Sequence, residues 1–126
     1  MIDIGKQIAY WRSSAEEDWS VAQDLVSRGK IRHGLFFAHL ALEKTLKALF
    51  CKATEELAPR IHNLVRLSEK AGLKLSDDQI DLLAEVSEFN IEGRYPEMLL
   101  PPPSREEADG YMVRIHEVLQ CLNNLF

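Results

Sequence analysis

The sequence predicts an all-α protein, an up-and-down helical bundle of four long helices and one short helix. Apolar residues recur at spacings of three and four over long segments, and no segment alternates apolar and polar residues as a strand does. Glycines, prolines and two Ser-x-x-Gln/Glu patterns divide these segments. Because 126 residues with 46% hydrophobic content suffice for one core, we expect a single domain over residues 1–126.

The first two helices are predicted from about Ile4 to Ser27 and from about Arg32 to Thr54. Gly29 ends the first helix, because glycine tolerates the left-handed backbone that closes a helix. The apolar side of the first helix is a single stripe formed by Ile8, Trp11, Ala15, Trp19, Ala22 and Val26.

The second helix is expected at the centre of the bundle. Its segment from Leu35 to Phe50 is apolar on nearly every side, which is typical of a buried helix. One polar stripe interrupts it, formed by His39, Glu43 and Lys47, whereas Lys44 lies on the opposite side. We expect this stripe to face a cleft or a partner.

Three further helices are predicted in the second half. A short one spans about Ile61 to Ala71, and a fourth runs from the capping pattern at Ser76 to about Glu92. The last helix begins at a second capping pattern, headed by Ser104, after three prolines. The inward residues predicted for the fourth helix are Ile80, Leu83, Ala84, Val86 and Ser87.

Charge and hydropathy exclude several classes of function. A net charge of −5 argues against the broad basic surface of an extended DNA-binding protein. No apolar segment is long enough to cross a membrane, and the N-terminus lacks an apolar signal region, so a cytoplasmic protein without membrane contact is expected. Cys51 and Cys121 fall in apolar helical segments and are predicted to be buried free thiols.

The sequence lacks the usual motifs of metal, nucleophile and phosphate-loop chemistry. His39 and Glu43 are four residues apart, but no zinc or HExxH spacing accompanies them. No GxSxG, GxxxxGK or GxGxxG pattern occurs. We therefore expect no metal and no cofactor.

Arg94 and Tyr95 form the most suggestive pair of functional residues. The planar guanidinium of arginine suits bidentate phosphate recognition, and a tyrosine ring can stack on a base. Lys44, Lys47 and His39 could add positive charge and proton-transfer capacity. In the alternative interpretation, Arg94 pairs with a neighbouring glutamate and Tyr95 belongs to the core.

Several segments together resemble HEPN domains, small all-α proteins of bacteria and archaea. Segment 36–50, FFAHLALEKTLKALF, is similar to the second helix of that family, and Trp11 lies in a segment similar to its first helix. The matching motifs, whose order and spacing cover nearly the whole chain, are Ala41, Glu43-Lys44, Leu46-Lys47-Ala48, the His-x-Leu segment at His62-Asn63-Leu64, and the Arg-Tyr-Pro segment at Arg94-Tyr95-Pro96.

The resemblance implies a bundle that commonly forms a homodimer and is linked to nucleotide or RNA binding. Such domains often occur with a separate minimal nucleotidyltransferase, sometimes as a toxin–antitoxin pair. Active members are metal-independent RNases with an Arg-x(4–6)-His motif. In this sequence Leu99, Leu100 and Pro101 occupy the positions after Arg94 at which that histidine would stand.

Together with the resemblance, the sequence therefore predicts a homodimeric HEPN-like module that binds a nucleotide or RNA, and the resemblance implies a nucleotidyltransferase partner. Two alternatives remain open. One is an RNase with a degenerate motif that uses Arg94 and His39, and the other is a structural subunit that only binds a partner protein. The predicted binding residues are Arg94, Tyr95, His39, Glu43, Lys44 and Lys47.

Overall fold

The computed structural model describes residues 2–94 and 101–126, and for residues 91–94 it describes the backbone only. None of the described residues lies in a strand, and the predicted all-α fold is confirmed. No helix among them is long and apolar enough to cross a membrane. The helices in these ranges are α1 (Ile4–Ser27), α2 (Ile31–Thr54), α3 (Leu64–Lys70), α4 (Asp77–Arg94) and α5 (Arg105–Asn123).

Helix α2 is the centre of the bundle, as its apolar circumference predicts. It contacts each of the other four helices, and Leu35, Leu42 and Leu46 on it are completely or almost completely buried. A helix that packs against neighbours on all sides has little surface left for polar residues. Glu43 and Lys47, the buried charged side chains of α2, must therefore find partners inside the protein.

Helices α1 and α2 pack closely as a hairpin. Gly29, with φ of 80°, supplies the left-handed turn between them. Gly34 lies against the last turns of α1, where an added Cβ would come within 2.5 Å of Val26 Cγ2 and 3.2 Å of the Ala22 carbonyl oxygen. Glycine at position 34 thus permits the approach of the two backbones.

Both predicted capping patterns form at the helix ends. The Ser76 Oγ accepts from the Gln79 backbone N–H at 3.2 Å, and the Ser104 Oγ accepts from that of Glu107 at 3.1 Å. Helix α3 begins three residues later than predicted, because the Asn63 side chain accepts a hydrogen bond from the backbone N–H of Arg66 and caps the helix there.

Two predictions of burial are wrong. Ala84 is exposed, because the buried row of α4 consists of Leu82, Leu83, Val86 and Phe89 and position 84 falls on the far side. Cys121 is also exposed, because the buried row of α5 passes through its neighbour Leu122. Cys51 is buried as predicted.

Candidate functional site

The polar stripe of α2 is buried within the protein. His39, Glu43 and Lys47 retain 0%, 4% and 6% of their accessible surface. They lie one helical turn apart on the same side of α2, where the connector between α2 and α3 covers them through His62. We call His39, Glu43, Lys47 and His62 the α2 charge cluster.

Glu43 is the centre of the α2 charge cluster. Its Oε2 accepts a hydrogen bond from Lys47 Nζ at 3.1 Å. Its Oε1 lies 3.0 Å from His62 Nδ1 and 3.9 Å from His39 Nδ1. A buried carboxylate is strongly disfavoured unless its oxygens are paired. Lys47 is the partner of Oε2, and His62 is the partner of Oε1.

His39 holds the backbone of the connector. Its Nε2 lies 3.1 Å from the carbonyl oxygen of His62. Because a carbonyl oxygen can only accept, Nε2 must carry a proton and donate. The completely buried imidazole therefore fixes the main chain of His62.

His62 is the member of the α2 charge cluster that reaches the surface, with 48% of its side chain exposed. Its Nδ1 donates to the Glu43 carboxylate, since a carboxylate oxygen accepts. In the neutral ring this arrangement leaves the lone pair on Nε2, on the side of the ring away from Glu43. The ring thus presents a polar atom of fixed orientation near the start of α3.

Helix α1 closes the other side of the α2 charge cluster through Trp11. The Lys47 ammonium lies 5.3 Å from the centre of a Trp11 ring, within the range of a cation–π contact. Lys47 is thereby held between an aromatic face and the Glu43 carboxylate.

Lys44 belongs to a different contact on the opposite side of α2. Its Nζ lies 2.7 Å from Asp18 Oδ2 and donates to Ser14 Oγ at 2.7 Å. Both partners are residues of α1. The structure therefore separates Lys44 from the other predicted site residues of α2 and gives it a role in docking α1.

Position 94 ends α4, whereas the Arg94 side chain and all of Tyr95 lie outside the described residues. Helical spacing places position 94 in one row with Ser87 and Asn90. The Ser87 Oγ accepts a hydrogen bond at 3.1 Å from the backbone N–H of Leu64, two residues after His62. The backbone of α4 thus carries position 94 on the row that meets the start of α3.

His62 is absent from the predicted site, because the short helix predicted from about Ile61 to Ala71 includes it. The actual position, in a connector ahead of the Asn63 cap, brings the ring to Glu43. The sequence does contain one indication of such a contact, because Glu43 lies on an otherwise apolar helix and a buried carboxylate requires more than one partner. Helical spacing cannot identify a partner 19 residues away.

A separate groove runs between α1 and α5. Its inner part is a cavity of about 120 Å³ lined by residues that include Arg12, Thr45 and His116, and its outer part encloses about 430 Å³. The rings of Trp19 and His116 stack across it, with their centres 5.8 Å apart. Apolar Val113 is 59% exposed at its edge. The surface that lines the groove is mainly apolar, and the charged residues Arg12, Glu16 and Glu117 also border it.

No group of three or more His, Cys, Asp or Glu side chains in the described part of the chain is arranged to hold a metal ion. Near Glu43 a cation is already present, since the Lys47 ammonium occupies one carboxylate oxygen.

Comparisons with known proteins agree with this fold. The structure is similar to the crystal structure of TT1696 from Thermus thermophilus, with a TM-score of 0.80 over 95% of this chain and 98% of that chain. At 20% sequence identity, this similarity concerns the fold alone. No curated protein matches the chain. The family model of the HEPN domain matches residues 8–125, and the chain therefore belongs to the HEPN domain family.

Proposed function

We propose that this protein is a nucleotide- or RNA-binding module whose ligand lies beside the α2 charge cluster and the C-terminal end of α4. HEPN domains are nucleotide- and RNA-associated modules. Membership of the family thus supports the class of ligand, and the geometry around Glu43 supports its location.

The observation that carries the proposal is the burial of Glu43 and Lys47 in the core of a small bundle. Removing such ions from water costs on the order of several kcal/mol each, and well-packed apolar residues often give equal or greater stability. A charge cluster of this kind is therefore a poor device for stability alone. Because this buried charge cluster also reaches the surface through the side chain of His62, its position supports a binding site there.

In this proposal the predicted residues have different roles. Arg94 binds a phosphate through its guanidinium, and Tyr95 stacks on the base. His39, Glu43 and Lys47 have little or no exposed surface, and they hold the connector and the wall of the site in place. Lys44 acts at a distance, through the packing of α1 against α2.

The test is a calorimetric titration of the protein with adenosine nucleotides and a short single-stranded RNA. Arg94→Ala should weaken binding by about tenfold or more, because a charge-assisted hydrogen bond contributes about 1.5–3 kcal/mol. The melting temperature should change little. Arg28→Ala is the matched control, since Arg28 lies on the surface in an ion pair with Asp24. Unchanged binding together with a large loss of stability would contradict the proposal.

Burial of His39 counts against the alternative RNase that uses Arg94 and His39. A general base must come within hydrogen-bonding distance of the substrate proton, and the His39 side chain has no exposed surface. RNA cleavage that is lost in Arg94→Ala and in His39→Ala would nevertheless establish that alternative. A purely structural subunit predicts no saturable response to any nucleotide.

We also propose that the module forms a homodimer and partners a minimal nucleotidyltransferase. The apolar groove between α1 and α5, with its exposed Val113, supports a protein contact. The nucleotidyltransferase partnership is tested by co-purification, in which the module and the nucleotidyltransferase should elute together at a fixed stoichiometry.

A further inference from the structure

We propose that His62 binds the ligand directly, through a hydrogen bond between its Nε2 and a phosphate-ester oxygen. The inference rests on the proposed function and adds to it a contact residue and the chemical group recognised. Its geometry is independent of Arg94, because every residue that carries it belongs to α2 or to the connector before α3.

Two contacts fix the orientation of the imidazole before any ligand arrives. The Glu43 carboxylate accepts from Nδ1 at 3.0 Å, and the buried His39 ring holds the carbonyl oxygen of the same residue at 3.1 Å. A side chain that is already ordered loses little entropy on binding. His62 is thus preorganised with Nε2 directed away from the core.

Exposure singles out His62 within the α2 charge cluster. The side chains of His39, Glu43 and Lys47 are 0%, 5% and 8% exposed, whereas that of His62 is 48% exposed. The buried members can influence a ligand only through another group. His62 is the group through which they reach it.

Charge makes a phosphate the fitting partner. Lys47 already compensates the charge of Glu43, so a proton added to the His62 ring leaves the α2 charge cluster with a net positive charge. A protonated imidazole donates from Nε2 to an anionic oxygen, and such charge-assisted hydrogen bonds are short and strong. The Glu43 carboxylate accepts from Nδ1 at the same time.

Two substitutions separate ligand contact from structural support. In His62→Asn, the amide nitrogen stands near the place of Nδ1 and can still donate to Glu43, but nothing replaces Nε2. In His62→Gln, the amide reaches the place of Nε2 and loses the position of Nδ1. The inference predicts the higher melting temperature for the asparagine variant and the higher ligand affinity for the glutamine variant.

The measurement compares ligands with and without the charged phosphate. The protein is titrated with adenosine monophosphate and, for comparison, with adenosine. It is also titrated with a short RNA and with the neutral methylphosphonate form of that RNA. The two comparisons distinguish recognition of a mononucleotide phosphate from recognition of an RNA backbone. His62→Asn should weaken binding of the phosphate-bearing ligand by about tenfold and leave binding of the neutral one unchanged. His116→Asn is the control, because that exposed histidine stacks on Trp19 in the separate groove.

The titrations distinguish failure of this inference from failure of the proposed function. If the native protein binds nucleotides and His62→Asn binds them equally well, the inference is overturned while the proposed function stands. If the native protein binds none of these ligands, both are overturned. If either variant fails to fold, the ¹⁵N resonance of His62 Nε2 in the native protein tests the ligand contact instead. It should move on saturation with the phosphate ligand, and a resonance that stays in place at saturation would overturn the inference.

Discussion

At the scale of single residues, the buried pair of Glu43 and Lys47 gives a test of stability. Glu43→Gln removes the charge that compensates buried Lys47 and should lower the free energy of unfolding by about 3–5 kcal/mol. The measurement is urea denaturation followed by circular dichroism. A loss below about 1 kcal/mol would mean that water reaches the Lys47 ammonium.

The double substitution Glu43→Leu with Lys47→Met extends that experiment. Because apolar replacement of a buried ion pair is often neutral or stabilising, the double variant should regain most of the stability that Glu43→Gln loses. Its affinity for nucleotide should nevertheless be lower than that of the native protein, because His62 has lost the carboxylate that orients its ring. Wild-type affinity in the double variant would contradict a positioning role for Glu43.

The two cysteines offer a second prediction at this scale. Burial raises the pKa of the Cys51 thiol, so less of the reactive thiolate forms at neutral pH. Cys121 is exposed. A thiol reagent should therefore modify Cys121 rapidly and Cys51 only after denaturation. In Cys121→Ser the rapid phase should disappear, and a remaining rapid phase would place Cys51 at the surface.

Residue spacing predicted which side chains share one side of α2, but it did not predict their burial. The spacing predicts that this polar stripe, His39, Glu43 and Lys47, faces a cleft or a partner. That prediction is wrong, because the stripe faces the connector of its own chain and Trp11. That outcome depends on how a segment distant in sequence folds back. The periodicity of α2 holds no information about such a contact.

At the scale of secondary-structure elements, the capping box of α5 responds to pH. Hydrogen bonds from the Ser104 backbone and side chain lower the pKa of Glu107 below its usual value of about 4.5. A lowered pKa in the folded state adds stability above the usual value, and this stability is lost as pH falls through the folded pKa. Glu107→Gln should therefore be less stable than the native protein at pH 7 and equal to it in acid. Chemical denaturation at both pH values measures the difference.

The α1–α2 hairpin gives a test of close packing. Gly34→Ala gains helix propensity worth up to about 1 kcal/mol, but its Cβ would meet Val26 and the Ala22 carbonyl oxygen. Overpacking of that kind costs about 1–3 kcal/mol, so a net loss of stability is expected. The control is Gly110→Ala on α5, where an added Cβ meets nothing within 4 Å and should stabilise. Thermal denaturation of both variants decides between packing and propensity.

The sequence predicts the helices and their ends more accurately than it predicts the contacts between side chains. Both capping boxes and the extents of α1 and α2 follow from local signals within a few residues. The start of α3 was misplaced because Asn63, and not a residue near Ile61, accepts the hydrogen bond that caps the helix. The predicted inward face of α4 is wrong at Ala84, because alanine is apolar but is also common on exposed helix surfaces.

At the scale of the whole molecule, the proposed homodimer makes a prediction about mass. The monomer is 14.4 kDa, and sedimentation equilibrium should give twice that value. Val113→Glu places a charge at the edge of the apolar groove and should shift the protein to monomers without lowering its melting temperature. Lys70→Glu, at an exposed position on α3, is the control. A native protein at monomer mass would contradict the proposed dimer.

The central position of α2 also has a consequence for folding during synthesis. The α1–α2 hairpin is complete once residue 54 has left the ribosome, and its contacts are local in sequence. However, α4 and α5 cover the remaining sides of α2 and are made last. Until then the nascent chain displays an apolar surface that is prone to aggregation. A chain stopped before Arg105 should therefore depend on chaperones, whereas the completed chain should not.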